Sequence, residues 1–184
     1  MKFSELSIAG AYRITPEPLA DERGVFNRLY CAEEFTQVGL ISEYAQINHS
    51  VSHHQGTLRG FHYQLPPKWE TKVMCCMGGR VFDQLLDLRR NSPTFRQTCA
   101  VTLKAESHEM VYIPEGVAHA YLTLAPDTIL LYLMSAPYSP ELERGIRWND
   151  PAFEFTWPFE PTIISDKDRS YPDFDAAYHL TSAD

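Results

Sequence analysis

An arginine, a histidine and a lysine lie close together in the stretch 57–72, TLRGFHYQLPPKWETK. Histidine is the residue type whose charge ordinarily changes near neutral pH, which makes His62 a candidate general base. The cations of Arg59 and Lys72 can hold a phosphate or stabilise negative charge. The stretch therefore predicts a site of acid–base chemistry, with a hydrogen-bonded core histidine as the alternative interpretation of His62.

Alternating side chains predict a β-strand over 57–64 with two mixed faces. One face carries Leu58, Gly60, His62 and Gln64, and the other carries Arg59, Phe61 and Tyr63. Mixed faces are unusual in a half-buried strand. They fit a barrel, in which one face lines a cavity and its polar groups need partners.

The rest of the chain predicts an all-β protein with short flanking helices. Further strands are expected over 10–15, 25–30, 44–52, 71–77, 80–88, 98–103, 109–113, 118–124 and 128–135. Short strands about every ten residues, separated by Gly and Pro turns, indicate a sandwich or barrel. A helix is expected over 32–38, and Gly39 is expected to end it. We interpret residues 1–184 as one domain with an irregular tail from about 137 to 184, which includes a helical turn within 166–178.

Composition narrows the functional class. The net charge is −8 with a pI near 5.3, which argues against general nucleic-acid binding. The first residues lack the apolar core of a signal peptide, and the longest apolar run, 128–134, is too short to cross a membrane. The four cysteines fit no zinc pattern and are expected to be reduced. We therefore expect a cytoplasmic location.

A second motif, Pro114-x-Gly116-x-x-His119, resembles the second motif of the cupin superfamily of small β-barrels. In metal-binding cupins the first motif supplies two histidines one residue apart and then a glutamate. Here Gln64 occupies the position of the second histidine, and Glu70 is the candidate for the glutamate, so two histidines and one carboxylate make an incomplete ligand set. We therefore expect no metal, with a metal-dependent cupin oxygenase as an alternative that metal analysis would decide.

Several motifs in order extend the resemblance to nearly the whole chain, from about residue 11 to 174. They are LRGFHYQ, FDQLLDLRRNSPTF, YIPEGVAH, YSP, RWNDPAF and SDKD. Together they resemble the dTDP-4-dehydrorhamnose 3,5-epimerase family. The resemblance implies a cupin-like jelly-roll β-barrel and a homodimer. It also implies a cofactor-independent isomerase that inverts carbon 3, carbon 5 or both of a nucleotide-linked 4-keto-6-deoxy sugar in deoxysugar biosynthesis.

The resemblance implies roles for individual residues. His62 matches the catalytic base, Asp168 its partner, Lys72 the lysine beside the ketone oxygen, and Tyr132 the general acid. Matched substrate-binding positions are Arg23, Phe26, Gln46, Asn48, Arg59, His119, Tyr138, Glu143 and Lys167. The four catalytic types suit enolate chemistry, in which a base removes a proton next to a ketone and a cation stabilises the enolate.

One departure from the family concerns the nucleotide base. Many members carry a glutamate at the position of Arg28, and that carboxylate is suited to the N–H of thymine. Arginine only donates hydrogen bonds, whereas cytosine offers acceptors. We therefore hypothesise that Arg28 favours a CDP-linked substrate over a dTDP-linked one. A non-catalytic cupin that binds a sugar or nucleotide is the remaining alternative.

Overall fold

A computed structural model describes residues 1–179 of the chain, and strands dominate them. The strands are β1 Lys2–Glu5, β2 Tyr12–Thr15, β3 Leu19–Asp21, β4 Gly24–Phe26, β5 Gln46–Ser52, β6 Thr57–Gln64, β7 Lys72–Gly78, β8 Arg80–Asp87, β9 Thr98–Lys104, β10 Met110–Ile113, β11 Val117–Thr123, β12 Thr128–Met134, β13 Glu143–Gly145 and β14 Ile163–Ile164. The helices are α1 Ala32–Gln37, α2 Asp166–Arg169 and α3 Ala176–His179, with a 3₁₀ turn at Ala105–Ser107.

Two large sheets form the barrel. The first has the order β1-β2-β10-β7-β12-β5, and the second has the order β13-β6-β11-β8-β9, with β14 added beside β6. Side chains of both sheets meet in one buried cluster that includes Met74 and Leu130 from the first sheet and Leu85 and Val117 from the second. The predicted all-β, cupin-like jelly-roll barrel is confirmed.

The outer face of each sheet is covered by a different part of the chain. Helix α1 places Phe35 against the first sheet, where it contacts Phe3 and Tyr30 edge-on. The segment after β13 covers the second sheet, and Phe155 stacks on Phe61 with the ring centroids 4.3 Å apart. Both outer faces of the barrel are therefore packed, which leaves the space between the two sheets for a site at one end.

Most predicted elements lie within one or two residues of the observed ones, and β6 and α1 begin where expected. The strand expected over 25–30 is wrong in extent, because pairing with β3 ends at Phe26. Four strands were not predicted: β1, β3, β13 and β14. They have two to four residues each, which is too short for alternation to show.

The predicted faces of β6 are also wrong, because the strand contains a bulge. Gly60 and His62 lie opposite successive residues of β11, so Phe61 is an extra residue in the ladder. The bulge shifts the alternation by one position. Arg59 therefore shares the inner face with His62, and Phe61 packs outside.

Glycine at position 60 is required for this bulge. Its φ is +111°, and a Cβ there would lie 2.5 Å from the backbone oxygen of His119. An L side chain would meet both the backbone strain and the contact. The mixed faces seen in the sequence thus have a geometric cause, which is a change of phase in the middle of the strand.

Two further observations concern membrane-spanning helices and the cysteines. No helix within residues 1–179 is long and apolar enough to cross a membrane. Cys31, Cys75, Cys76 and Cys99 are all free thiols. Burial raises the pKa of the Cys75 thiol to about 12, so this thiol is neutral and unreactive at physiological pH.

Candidate active site

A cavity of about 570 Å³ opens at one end of the barrel, between the two sheets. Its walls bring together residues that are far apart in the sequence. The predicted site residues that line it are Asn48, Arg59, His62, Lys72, His119, Tyr132, Lys167 and Asp168. All four predicted catalytic residues therefore share one cavity.

His62 and Asp168 form a close pair at the cavity wall. The Nε2 atom of His62 lies 2.7 Å from Oδ1 of Asp168, and the backbone N–H of Gly60 donates to Oδ2 at 3.3 Å. The carboxylate is almost fully buried, whereas 29% of the His62 side chain is exposed. The imidazole can therefore meet a ligand while its partner is shielded from water.

A short local structure places Asp168 next to His62. Strand β14 runs parallel to β6, with Ile163 opposite Thr57, and α2 begins directly after it. The Ser165 hydroxyl caps α2 by accepting from the Asp168 N–H at 3.1 Å. The strand pairing and the cap together bring the carboxylate to a histidine 106 residues earlier in the chain.

The charge state of Asp168 decides the tautomer of His62. Burial by itself raises the pKa of this carboxyl, but the hydrogen bonds from His62 and from the Gly60 N–H outweigh it and leave the pKa below its ordinary value. An ionised carboxylate only accepts hydrogen bonds. The Nε2 atom of His62 therefore carries the hydrogen, and Nδ1 carries the free lone pair of a base.

Lys72 is held at the first residue of β7. Its ammonium lies 3.0 Å from Oε1 of Glu70 and donates to the backbone oxygen of His62 at 3.1 Å. Both the Lys72 and the Glu70 side chains are less than 10% exposed. This fixed ammonium places a positive charge at the cavity wall near His62, where negative charge on a ligand oxygen would be stabilised.

Tyr132 approaches the cavity from β12. Its hydroxyl lies 3.2 Å from Oγ of Ser50, and the same Oγ lies 3.1 Å from the hydroxyl of Tyr121. Burial and the neighbouring Tyr121 raise the pKa of Tyr132 well above its ordinary value. The phenol therefore stays protonated, as a proton donor requires.

His119 lies opposite His62 in the pairing of β11 with β6. Its Nδ1 atom lies 3.1 Å from Oδ1 of Asp83, and both side chains are buried. Burial raises the pKa of Asp83 well above its ordinary value, and burial with the nearby Lys72 lowers the pKa of His119. We conclude that the pair is uncharged, and when the Asp83 carboxyl donates to Nδ1, the Nε2 atom of His119 carries the hydrogen and can donate.

A smaller lobe of about 210 Å³ adjoins the cavity. Of the predicted substrate-binding residues, Gln46, Tyr138 and Glu143 line this lobe. The Glu143 carboxylate accepts from the Tyr138 hydroxyl at 2.8 Å and pairs with the Lys167 ammonium. Gln46 accepts from the Tyr138 backbone N–H at 2.7 Å. This network lies beside the cavity and links both sheets at its mouth.

The remaining three predicted binding residues lie elsewhere on this chain. Arg23 and Phe26 belong to the β3–β4 hairpin and line a separate shallow pocket. Arg23 is paired with Asp21, and Arg28 lies 3.0 Å from Glu34 at the start of α1. A single chain thus does not bring these three residues to the cavity that contains His62.

The placement of possible metal ligands bears on the alternative of a metal-dependent cupin. Within residues 1–179, no group of three or more His, Cys, Asp or Glu side chains is placed to hold a metal ion. Gln64, at the position of the second cupin histidine, accepts from the Ser139 backbone N–H at 2.6 Å and donates to the Lys68 oxygen at 2.8 Å. Its amide therefore serves a structural network.

Polar residues around the site that were given no catalytic or binding role from the sequence include Ser50 and Tyr121 in the cavity wall, Glu70 in the smaller lobe, and Asp83 behind His119. Asp83 had a readable signal, because it is a carboxylate in the middle of an apolar strand where burial needs a partner. Ser50 and Tyr121 had no such signal, since both residue types are common on ordinary strands.

Comparison with known proteins shows the family. The family model for dTDP-4-dehydrorhamnose 3,5-epimerase matches residues 5–176. The dTDP-4-dehydrorhamnose 3,5-epimerase of Mycolicibacterium smegmatis is 42% identical over 174 residues, which covers 94% of this chain and 85% of that protein.

Solved structures agree as well. The crystal structure of dTDP-4-dehydrorhamnose 3,5-epimerase from Bacillus anthracis, with TDP and PPi bound, matches with a TM-score of 0.90 at 36% identity and covers 94% of this chain and 99% of that one. A 3′-monoepimerase from Streptomyces bikiniensis in complex with dTDP-quinovose matches with a TM-score of 0.84 at 37% identity and covers 91% and 85%. This chain therefore belongs to the dTDP-4-dehydrorhamnose 3,5-epimerase family.

Proposed function

We propose that this protein inverts carbon 3, carbon 5 or both of a nucleotide-linked 4-keto-6-deoxy sugar. The observation that carries the proposal is the His62–Asp168 pair at 2.7 Å, in one cavity with Lys72 and Tyr132. Family membership supports the same reaction class. The proposed role of the protein is in deoxysugar biosynthesis.

His62 acts first, as the base. Its Nδ1 lone pair takes the proton from the carbon next to the ketone, and the C–H electron pair moves toward the ketone oxygen to form an enolate. Asp168 stabilises the imidazolium that forms, because its buried carboxylate lies 2.7 Å from the other ring nitrogen. The ammonium of Lys72 stabilises the enolate oxygen in a site of low dielectric constant.

Tyr132 completes the inversion as the acid. It gives its phenolic proton to the same carbon from the opposite face, and the ketone forms again. Its raised pKa keeps the phenol protonated until that step. The Nε2–H of His119 serves as a neutral donor to the sugar, since its Nδ1 is held by Asp83.

We infer that the binding surface for the nucleotide combines charge and stacking. Arg59 and Lys167 place cations at the cavity, where they suit a diphosphate despite the net charge of −8. Tyr138 is 57% exposed beside the smaller lobe and offers a face for a base. The ligands of the related structures, TDP with PPi and dTDP-quinovose, support a nucleotide-linked substrate.

We further infer that two copies of this chain form a homodimer. Apolar side chains are exposed on the β3–β4 hairpin and on β5, with Leu19, Phe26 and Ile47 each more than 65% exposed. Apolar surface of this kind suits a partner surface. In such a dimer, the β3–β4 hairpin of one protomer would bring its Arg23 and Phe26 to the cavity of the other protomer. Sedimentation equilibrium tests this inference, and a monomer at micromolar concentration would refute it.

The nucleotide base is a separate hypothesis, based on Arg28. We expect CDP to bind more tightly than dTDP in calorimetry, because arginine donates to the acceptors of cytosine. The variant Arg28→Glu is expected to reverse this preference. A clear preference of the unchanged protein for dTDP would remove the hypothesis.

The experiment for the reaction is deuterium incorporation in D₂O, followed by NMR. The substrates are dTDP-, CDP- and GDP-linked 4-keto-6-deoxy sugars, and the positions that gain deuterium identify the inverted centres. We expect exchange at carbon 3, carbon 5 or both, and none with His62→Ala. A protein that binds the nucleotide sugar but catalyses no exchange would be a non-catalytic binding protein, and the proposal would be wrong.

A further inference from the structure

Three hydroxyl groups form a row along the wall of the cavity. The Oγ atom of Ser50 lies 3.1 Å from the Tyr121 hydroxyl and 3.2 Å from the Tyr132 hydroxyl. Tyr121 is 3% exposed, so its hydroxyl has little access to solvent. A buried hydroxyl needs a hydrogen-bond partner. The described partner of the Tyr121 hydroxyl is Ser50, which in turn contacts the proposed acid, Tyr132.

The chemistry of Tyr132 sets the direction of these hydrogen bonds. To protonate a carbon, the O–H of Tyr132 must point at the substrate, so its oxygen is free to accept from Ser50. Ser50 has a single hydrogen, and once that hydrogen is donated to Tyr132 its oxygen accepts from Tyr121. In this arrangement each hydroxyl donates once, and the row ends at the substrate carbon.

We propose that Tyr121 is a positioning residue that acts through Ser50 on Tyr132. This inference rests on the proposed function. In the inverting step the O–H bond of Tyr132 breaks, a C–H bond forms from the enolate electron pair, and the ketone is restored. The resulting phenolate of Tyr132 is stabilised by the hydrogen bond from Ser50, which Tyr121 polarises. Solvent then returns a proton to Tyr132.

The step that depends on Tyr121 is separable from the step that does not. His62 removes the carbon proton, and its partly exposed ring exchanges that proton with solvent. If His62 returns deuterium to the same face, the substrate gains label without inversion. Only protonation by Tyr132 gives the inverted product. The ratio of labelled substrate to inverted product therefore reports on the acid alone.

The test compares Tyr121→Phe with the unchanged protein in D₂O, using a substrate that the unchanged protein inverts. We expect inversion to slow about three- to tenfold, the effect of one neutral hydrogen bond. Exchange with retention is expected to stay within about twofold, since no bond to His62 changes. The matched control is Tyr112→Phe, because Tyr112 is likewise buried, at 4% exposure, and its hydroxyl accepts from the Ile41 N–H. It is expected to leave the ratio unchanged.

A double-mutant cycle with Ser50→Ala tests the path. Because the described hydrogen bonds lead from Tyr121 to Tyr132 through Ser50, the effects of Tyr121→Phe and Ser50→Ala on the ratio are expected to be clearly less than additive. Additive effects, an unchanged ratio in Tyr121→Phe, or an equal loss of exchange and inversion would each overturn the inference. Absence of exchange in the unchanged protein would instead refute the proposed function, so the two failures are distinguishable.

Discussion

Replacing Asp168 by Asn tests the proposed base most directly. The two carboxylate oxygens accept from His62 Nε2 and from the Gly60 N–H. An amide has one acceptor oxygen and one donor NH₂ group, so it cannot satisfy both donors. If its oxygen faces Gly60, its NH₂ faces Nε2, which must then accept. The proton moves to Nδ1, and the lone pair that the base needs is lost.

The magnitude follows from the charge on the imidazole. An imidazolium and a carboxylate with charge centres about 4 Å apart attract by about 4 kcal/mol at an effective dielectric constant of 20. Asp168 is buried and only part of the charge develops in the transition state, so we expect a loss of about 2–4 kcal/mol. This loss corresponds to a rate about 30- to 1,000-fold lower.

The assay is the initial rate of deuterium exchange in D₂O. The control is Asp166→Asn, which removes an exposed carboxylate from the same short helix α2 and is expected to keep the full rate. If Asp168→Asn kept more than a third of the wild-type rate with an intact fold, the assignment of Asp168 as partner of the base would be refuted.

The remaining predictions concern charge, backbone and pH. Lys72→Met is expected to slow exchange about 10²- to 10³-fold, because it removes the cation for the enolate; Lys68→Met, at an exposed site, is the control, and equal rates would contradict the role. Gly60→Ala is expected to lower the free energy of unfolding by more than about 2 kcal/mol, since its Cβ would lie 2.5 Å from the next strand. Gly39→Ala is the control, because Gly39 also has a positive φ but a Cβ there would meet no atom within 4 Å. Urea titration should show a loss of unfolding free energy of only about 1 kcal/mol. Burial lowers the pKa of His179 from 6.5 to about 4. As the pH falls, His179 therefore binds a proton in the unfolded chain before it does so in the folded one. The free energy of unfolding should fall by about 3 kcal/mol between pH 6.5 and 4. His179→Gln should lack this part of the pH dependence, and an unchanged pH profile would contradict it.

The elements of the fold were largely predictable from local patterns. Strand β6 and helix α1 could be located because alternation and a glycine stop depend only on neighbouring residues. The two-residue strand β14 could not, since its pairing with β6 depends on a segment more than 100 residues away. Family motifs predicted Asp168 as the partner of His62, but only the pairing of β14 and the cap at Ser165 explain why the two side chains lie close together.

The site shows the same division. Residue types and family motifs by themselves predicted His62, Lys72, Tyr132 and Asp168 as a set for enolate chemistry, because the chemistry of each side chain is a property of the residue. The face on which Arg59 lies was decided by the bulge at Gly60, and the row through Tyr121 was decided by strands meeting across the barrel. Distances between remote segments depend on packing of the whole chain, so only the tertiary structure could determine them.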